Sequence, residues 1–331
     1  MRLTTRLMAT IALGTLALGG CSSGDATTPA SGAPASSAAG GQGGESGGTF
    51  AVITHGGAGD AFWDVVKNGA EAAGKQYGAK VTYQGDGDPA KQAQLIDQAV
   101  SQKVDGVVVS MANPDALKES ITKAVAAKIP VVTINSGADK SKEFGAITHV
   151  GQSEEVAGRG AGEKLKAEGV TKLLCVIHEA GNVGLDQRCN GATATLGGTV
   201  ERLQVDVSNL ADATSKIKAK LQTDSSLNGV LTLNPAVAIA ARDAIKDGGS
   251  TAKLATFDLS ADVVDAIEAG EILFAVDQQQ YLQGWLPITF LYLYKKNLNT
   301  VGGGLPVNTG PGFVTKDNAA QVAKLAQGGT R

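Results

Sequence analysis

From residue 49 onward, short runs rich in Val, Ile and Leu alternate with amphipathic helical stretches, and this alternation constrains the fold more than any other feature. Apolar runs at 50–54, 80–83, 106–110 and 131–134 are interleaved with helical spacing over 61–77, 89–102 and 114–127. The pattern then restarts. Runs at 173–177, 200–205, 230–233, 254–257 and 272–276 are interleaved with helical spacing over 184–196, 211–222, 236–246 and 260–268. Near-continuous apolar strands joined by helical crossovers predict parallel sheets covered on both faces. Two similar halves in a chain of 331 residues fit two doubly wound α/β lobes better than one very wide sheet. The first crossing between lobes is expected near 148–152.

The segment before this alternation reads as an address. Arg2 and Arg6 precede an apolar stretch over 7–18 and then small residues, the three-part layout of a secretory signal. Leu18-Gly19-Gly20-Cys21 resembles the bacterial lipobox, which implies removal of residues 1–20 and lipid modification of Cys21. Residues 22–48 hold eight Gly, six Ser and six Ala, with no aromatic or branched aliphatic side chain, and read as a tether unable to bury a core. The expected location is therefore extracytoplasmic, on the outer face of the cell membrane. A net charge of −3 without a clustered basic face argues against a nucleic-acid partner.

In doubly wound sheets, ligands sit outside the carboxyl ends of the strands, so the residues just after each strand are the ones to read. The first run is followed by His55-Gly56-Gly57-Ala58-Gly59-Asp60-Ala61-Phe62-Trp63. This glycine-rich turn lacks the Gly-Lys-Ser/Thr ending of a phosphate loop and the spacing of a dinucleotide fingerprint. It delivers a carboxylate and two adjacent aromatics, whose flat faces suit the C–H face of a sugar or polyol, although one of them is expected simply to fill the core. Asn135-Ser136, Asn234, Asp258 and Gln278 end four further runs. Each could serve instead as a helix cap or turn residue. Their recurrence across both halves favours a polar binding site, to which Arg188 would add a fork of donors.

In order and spacing, residues 49 to about 327 resemble the type I periplasmic sugar-binding proteins, the ribose-binding kind above all. Asp60, Phe62 and Trp63 fall at the family's polar and stacking positions, and Arg188, Asn234, Asp258 and Gln278 fall at its arginine, asparagine, aspartate and glutamine. Asn135 and Ser136 stand where ribose binders carry Asp-Arg, which puts ribose itself in doubt and points to another pentose, a hexose or a linear polyol. The resemblance implies a clamp whose lobes, 49–150 plus 279–306 and 151–278 plus 307–331, are joined by a hinge of three strands. It also implies a monomer that delivers a monosaccharide or sugar alcohol to a membrane permease powered by a separate ATPase, without cofactor or catalysis. Two alternatives stand beside it: a sensor of a nucleoside or furanosyl signal, and an exported carbohydrate-active enzyme using Asp60 and Asp258.

Cys175 and Cys189 flank this region, and an exported chain meets oxidising conditions, so a disulfide bracing Arg188 is expected; two buried thiols are the alternative. The histidines at 55, 149 and 178 show no zinc-binding spacing, and no metal site is expected. His55 reads as a solvated loop residue that could graze a ligand.

Overall fold

The computed structural model describes residues 47–331 apart from Ala58. The signal segment, Cys21 and nearly all of the tether lie outside the described residues. The first half runs β1 (Thr49–Thr54), α1 (Ala61–Tyr77), β2 (Lys80–Gly85), α2 (Pro89–Ser101), β3 (Gly106–Ser110), α3 (Pro114–Ala126), β4 (Val131–Ile134), the one-turn α4 (Ala138–Ser141) and β5 (Thr148–Gln152). The second repeats the plan with α5 (Glu154–Ala167), β6 (Lys172–Ile177), α6 (Val183–Leu196), β7 (Thr199–Gln204), α7 (Leu210–Thr223), β8 (Gly229–Thr232), α8 (Pro235–Gly248), β9 (Lys253–Phe257), α9 (Ala261–Ala269) and β10 (Phe274–Asp277). The chain ends with α10 (Gln280–Asn297), β11 (Val307–Gly310), β12 (Gly312–Thr315) and α11 (Ala319–Gln327).

Two six-stranded sheets result, ordered β11-β5-β4-β3-β1-β2 and β12-β10-β9-β8-β6-β7. All pairings are parallel except that of β12 with β10. The α/β two-lobe architecture is therefore as the alternation implies. The chain crosses between sheets around Ser153, Gln278–Gln279 and Pro311. One boundary moves: Val307–Gly310 pairs with β5 in the first sheet, whereas the resemblance implies that 307 onward belongs to the second lobe. The residues that change sheet are those between β11 and β12, because Gly312 pairs with Asp277 of β10.

The central strands are buried along their whole length, as in β3 and β8, because helices cover both faces of each sheet. The edge strands β2 and β7 are partly exposed and correspondingly polar. Helices start on side-chain caps: Asp88 on Ala90 N–H, Asn113 on Ala116 N–H and Ser260 on Val263 N–H, each satisfying a donor that the first turn leaves unpaired. One helix contact bears directly on the cleft. A Cβ on Gly158 of α5 would collide with the Arg188 carbonyl of α6, and one on Gly191 of α6 would collide with the Glu155 carbonyl of α5. Glycine at both positions lets the two backbones touch.

Candidate functional site

The carboxyl ends of the strands in both lobes face one another across a cleft, and the nine residues singled out from the sequence all line one cavity there. In the first lobe, Asp60 Oδ1 accepts from the Phe62 N–H at 2.9 Å and so caps α1. Burial raises its carboxyl to about 6, against the lowering effect of that N–H. Phe62 and Trp63 meet edge to face at 4.9 Å. Both belong to the hydrophobic core of this lobe and both line the cavity, so neither is merely filler.

Asn135 follows β4 with a left-handed backbone (φ 61°). Its Nδ2 donates to Gln278 Oε1 at 3.0 Å, across the boundary between lobes. Ser136 Oγ donates to Asn135 Oδ1 at 3.0 Å and lies 3.2 Å from Asn182 Oδ1 of the second lobe. The backbone closes the same gap: Val183 N–H donates to the Ala112 carbonyl at 3.0 Å.

The second lobe supplies the guanidinium and most of the charge. Arg188 is only 3% exposed, and a lone buried guanidinium would be untenable without partners. Its Nε and Nη2 grip Glu154 in a fork at 2.6 and 3.0 Å, and Nη1 donates to the Leu233 carbonyl at 3.3 Å. The guanidinium also lies over the Phe257 ring at 4.5 Å. Nη1 is 3.7 Å from Asp258 Oδ2, while Asp258 Oδ1 accepts from Gln278 Nε2 at 2.7 Å. Burial still dominates at Asp258 and pushes its carboxyl up to about 7, with Arg188 and Gln278 opposing. Asn234 spends its Oδ1 on the N–H groups of Ala236 and Val237 as the cap of α8, and lines the cavity as well. Cys175 and Cys189 form a disulfide with Cα atoms 6.0 Å apart, tying β6 to the turn of α6 that carries Arg188.

A family model described as a periplasmic binding protein domain matches residues 50–298. The chain belongs to the type I periplasmic sugar-binding proteins. A carbohydrate transporter from Acidothermus cellulolyticus 11B, solved in complex with myo-inositol, is 45% identical, with a TM-score of 0.84 over 86% of this chain and 99% of that one. A solute-binding protein from Agrobacterium vitis with bound D-fucose is 27% identical, with a TM-score of 0.75 over 84% of this chain and 99% of that one. The xylose/arabinose-binding protein XylF of Sulfolobus acidocaldarius is 24% identical over 67% of this chain, and the match spans 60% of its own length. The ribose import binding protein RbsB of Bacillus subtilis is 25% identical over 68% of this chain and 74% of its own. These relatives are binding proteins of transport, and the chain has the role of a substrate-binding component of an ABC sugar importer.

In this periplasmic-type binding protein, four polar side chains that the strand-end reading did not select also line the cavity: His55, His178, Glu179 and Asn182. Glu154 is a fifth omission, holding Arg188 from behind. His55 is not the solvated loop residue expected. It is 7% exposed, with Nδ1 2.7 Å from Ser110 Oγ and its ring edge against Trp63 at 4.8 Å, and burial lowers its basicity. Burial likewise brings His178 down to about 4. Burial alone would raise the Glu179 carboxyl, but the facing His55 and His178 rings and the Asn182 amide hold it below its ordinary value. His55 stands in the turn after β1 and is there read as a solvated loop residue; His178 and Glu179, just after β6, obey the same strand-end rule, and applying it there finds both.

Proposed function

We propose that this protein captures one cyclitol or monosaccharide ring between its lobes, with myo-inositol as the leading ligand, and delivers it to an ABC permease driven by a separate ATPase. The observation that carries the reading is the convergence of Asp60, Phe62, Trp63, Asn135, Ser136, Arg188, Asn234, Asp258 and Gln278 on a single cleft cavity. The 45% identity to a myo-inositol complex supports the choice of ring. Myo-inositol carries a hydroxyl on every ring carbon, so it needs polar partners all round its rim and apolar cover on its faces. The rim is provided by amides, carboxylates and a guanidinium from both lobes, and the cover by Phe62 and Trp63. Neutral Asn135 and Ser136 replace the Asp-Arg pair expected of a ribose binder, and an unpaired buried charge would penalise the wrong ligand heavily.

The lobes would act as jaws hinged near 150, 278 and 310, closing because the ligand contacts both. The protein would work as a monomer held to the outer face of the membrane by lipid on Cys21. The test is thermal denaturation of the purified protein with myo-inositol, other inositols, pentoses, hexoses, linear polyols and nucleosides. At 100 times its dissociation constant, a true ligand adds about 2.7 kcal/mol and raises the midpoint by degrees. The expected responder is myo-inositol, with D-ribose silent; a response to nucleosides alone would discard the sugar reading.

A further inference from the structure

His55, His178, Glu179 and Asn182 line not one hollow but two: the inner cavity and a larger one at the cleft mouth. They are the partition between them. The partition is built from both lobes, with His55 at the end of β1 and the other three in the loop between β6 and α6. Asn182 Nδ2 donates to Glu179 Oε2 at 2.6 Å and lies 3.5 Å from His55 Nε2, which in turn faces Glu179 Oε2 at 3.6 Å. Each half is anchored from behind. His55 is held at two points by the Ser110 hydroxyl, which lies 3.0 Å from its backbone nitrogen and 2.7 Å from Nδ1. Asn182 is fixed as the cap of α6, accepting from Gly184 N–H at 3.0 Å. Beyond the partition, small residues, Gly57, Gly87 and Gly181 among them, form part of the lips. A Cβ on Gly57 or Gly181 would meet nothing within 4 Å, and one on Gly87 only the His55 carbonyl at 3.7 Å. The contrast is between a tight polar wall and unfilled space immediately outside it.

We propose that His55 and Glu179, bridged by Asn182, are a size gate: they restrict the ligand to a bare ring by closing where a substituent on one particular hydroxyl would leave the inner cavity. The inference rests on the single-ring reading above and adds the device that enforces it. Because the space outside is open, removing the gate should readmit a substituent at that one position and no other. The wall would thus decide specificity without making the largest contribution to affinity.

The test is calorimetric titration of wild type, His55→Ala, Glu179→Ala and Glu179→Gln with myo-inositol and the positional set of its mono-O-methyl ethers. D-Fucose and D-arabinose, with their O-methyl derivatives, are carried in parallel. Wild type is expected to reject every ether of its ligand by about 30-fold or more, within the range that one misfitted carbon commands in a packed site. His55→Ala and Glu179→Ala should each relieve that rejection about tenfold for a single positional isomer, leaving the other isomers rejected as before. Glu179→Gln keeps an oxygen for Asn182 and should keep the rejection. Asn182 is left unsubstituted because its loss would also uncap α6. A wild type that binds an ether as well as the parent ring overturns the gate. So do variants that loosen all isomers alike, which is general softening, or none. Silence of the inositol set with binding of a sugar set would fault the ring assignment alone, since the gate is then read on the sugar ethers. No binding of any ring would remove the reading on which the gate rests.

Discussion

Asn135 and Asp258 occupy the same place in the two lobes. Each follows the fourth strand of its half, each has a left-handed backbone (φ 61° and 69°), and each donates its N–H to a carbonyl of the next strand, Val150 at 3.1 Å and Val276 at 2.8 Å. Asn and Asp adopt this conformation more readily than other side-chain-bearing residues, so the scaffold alone explains why a short polar residue sits there. It does not explain the surroundings, which differ. Asn135 shares its wall with a hydroxyl, two aromatics, His55 and the Asp60 carboxyl; Asp258 shares its wall with Arg188 and Glu179, with Glu154 behind the guanidinium. A duplicated backbone therefore carries one aromatic jaw with a single carboxyl, Asp60, and one jaw built on a network of charges. Gln278, in the crossing between them, bonds both: its Oε1 accepts from Asn135 and its Nε2 donates to Asp258. The fold fixes where polar groups stand, and the site fixes which charges they bear.

If the charged jaw is the more tightly integrated, breaking it should do the greatest damage. Arg188→Ala would strand Glu154 and Asp258 in a buried setting, and losing one partner of such a network costs about 3–5 kcal/mol. Asn135→Ala removes amide hydrogen bonds without stranding a charge, for about 1–3 kcal/mol. Denaturant unfolding should therefore rank Arg188→Ala well below Asn135→Ala in stability. The reverse order would remove the distinction between the jaws.

The disulfide belongs to the charged jaw alone and should reveal the same asymmetry locally. Cys175 and Cys189 are both fully buried, so alanine at both positions is the mildest way to open the link. Releasing a loop of this length is worth about 3 kcal/mol when the native state is otherwise unchanged. Hydrogen exchange should quicken in β6 and α6 and stay as it was in β1 and α1. Equal quickening in both lobes would mean that they unfold as one unit and that the brace is not local to Arg188.

How much of this was legible in the chain differs between scaffold and site. The apolar runs of β1, β3, β4, β6, β8 and β9 are visible because strands buried on both faces leave no polar alternation to confuse the period. β5 reads as a connection, since His149 and Gly151 interrupt its apolar run. α10 is hidden by Pro287 inside it, although it lies against α1 so closely that a Cβ on Gly284 would collide with the Val66 carbonyl. Within the site, strand-end residues can be found because topology makes their position meaningful. Glu154 cannot be found in that way. It follows the α5 cap Ser153 and looks like an ordinary first-turn acid; only the packing of α5 on α6 brings Arg188 to it. His55 and Glu179 stand at strand ends and are legible there one by one, but their pairing across lobes leaves no trace in local sequence.

The smallest expected effect is on pH, and it too separates the jaws. Burial holds the Asp258 carboxyl at about 7, so the stabilisation from its neutral form is full below about pH 4 and is lost as pH rises through 7. A sugar or cyclitol hydroxyl donating to Asp258 favours the ionised form and lowers that value. Binding then releases a proton near neutral pH, and for a lowering of one pKa unit, worth about 1.4 kcal/mol over the full titration, affinity should rise by about fivefold from pH 6 to pH 8. Asp60 in the other jaw, at about 6, adds a weaker response at lower pH. Titration in buffers of different ionisation enthalpy counts the protons directly. Asp258→Asn should abolish the release near pH 7, and Asn135→Ala should leave it intact. Release that survives Asp258→Asn would place the titrating group elsewhere, and the charged jaw would lose its claim to read the ligand through Asp258.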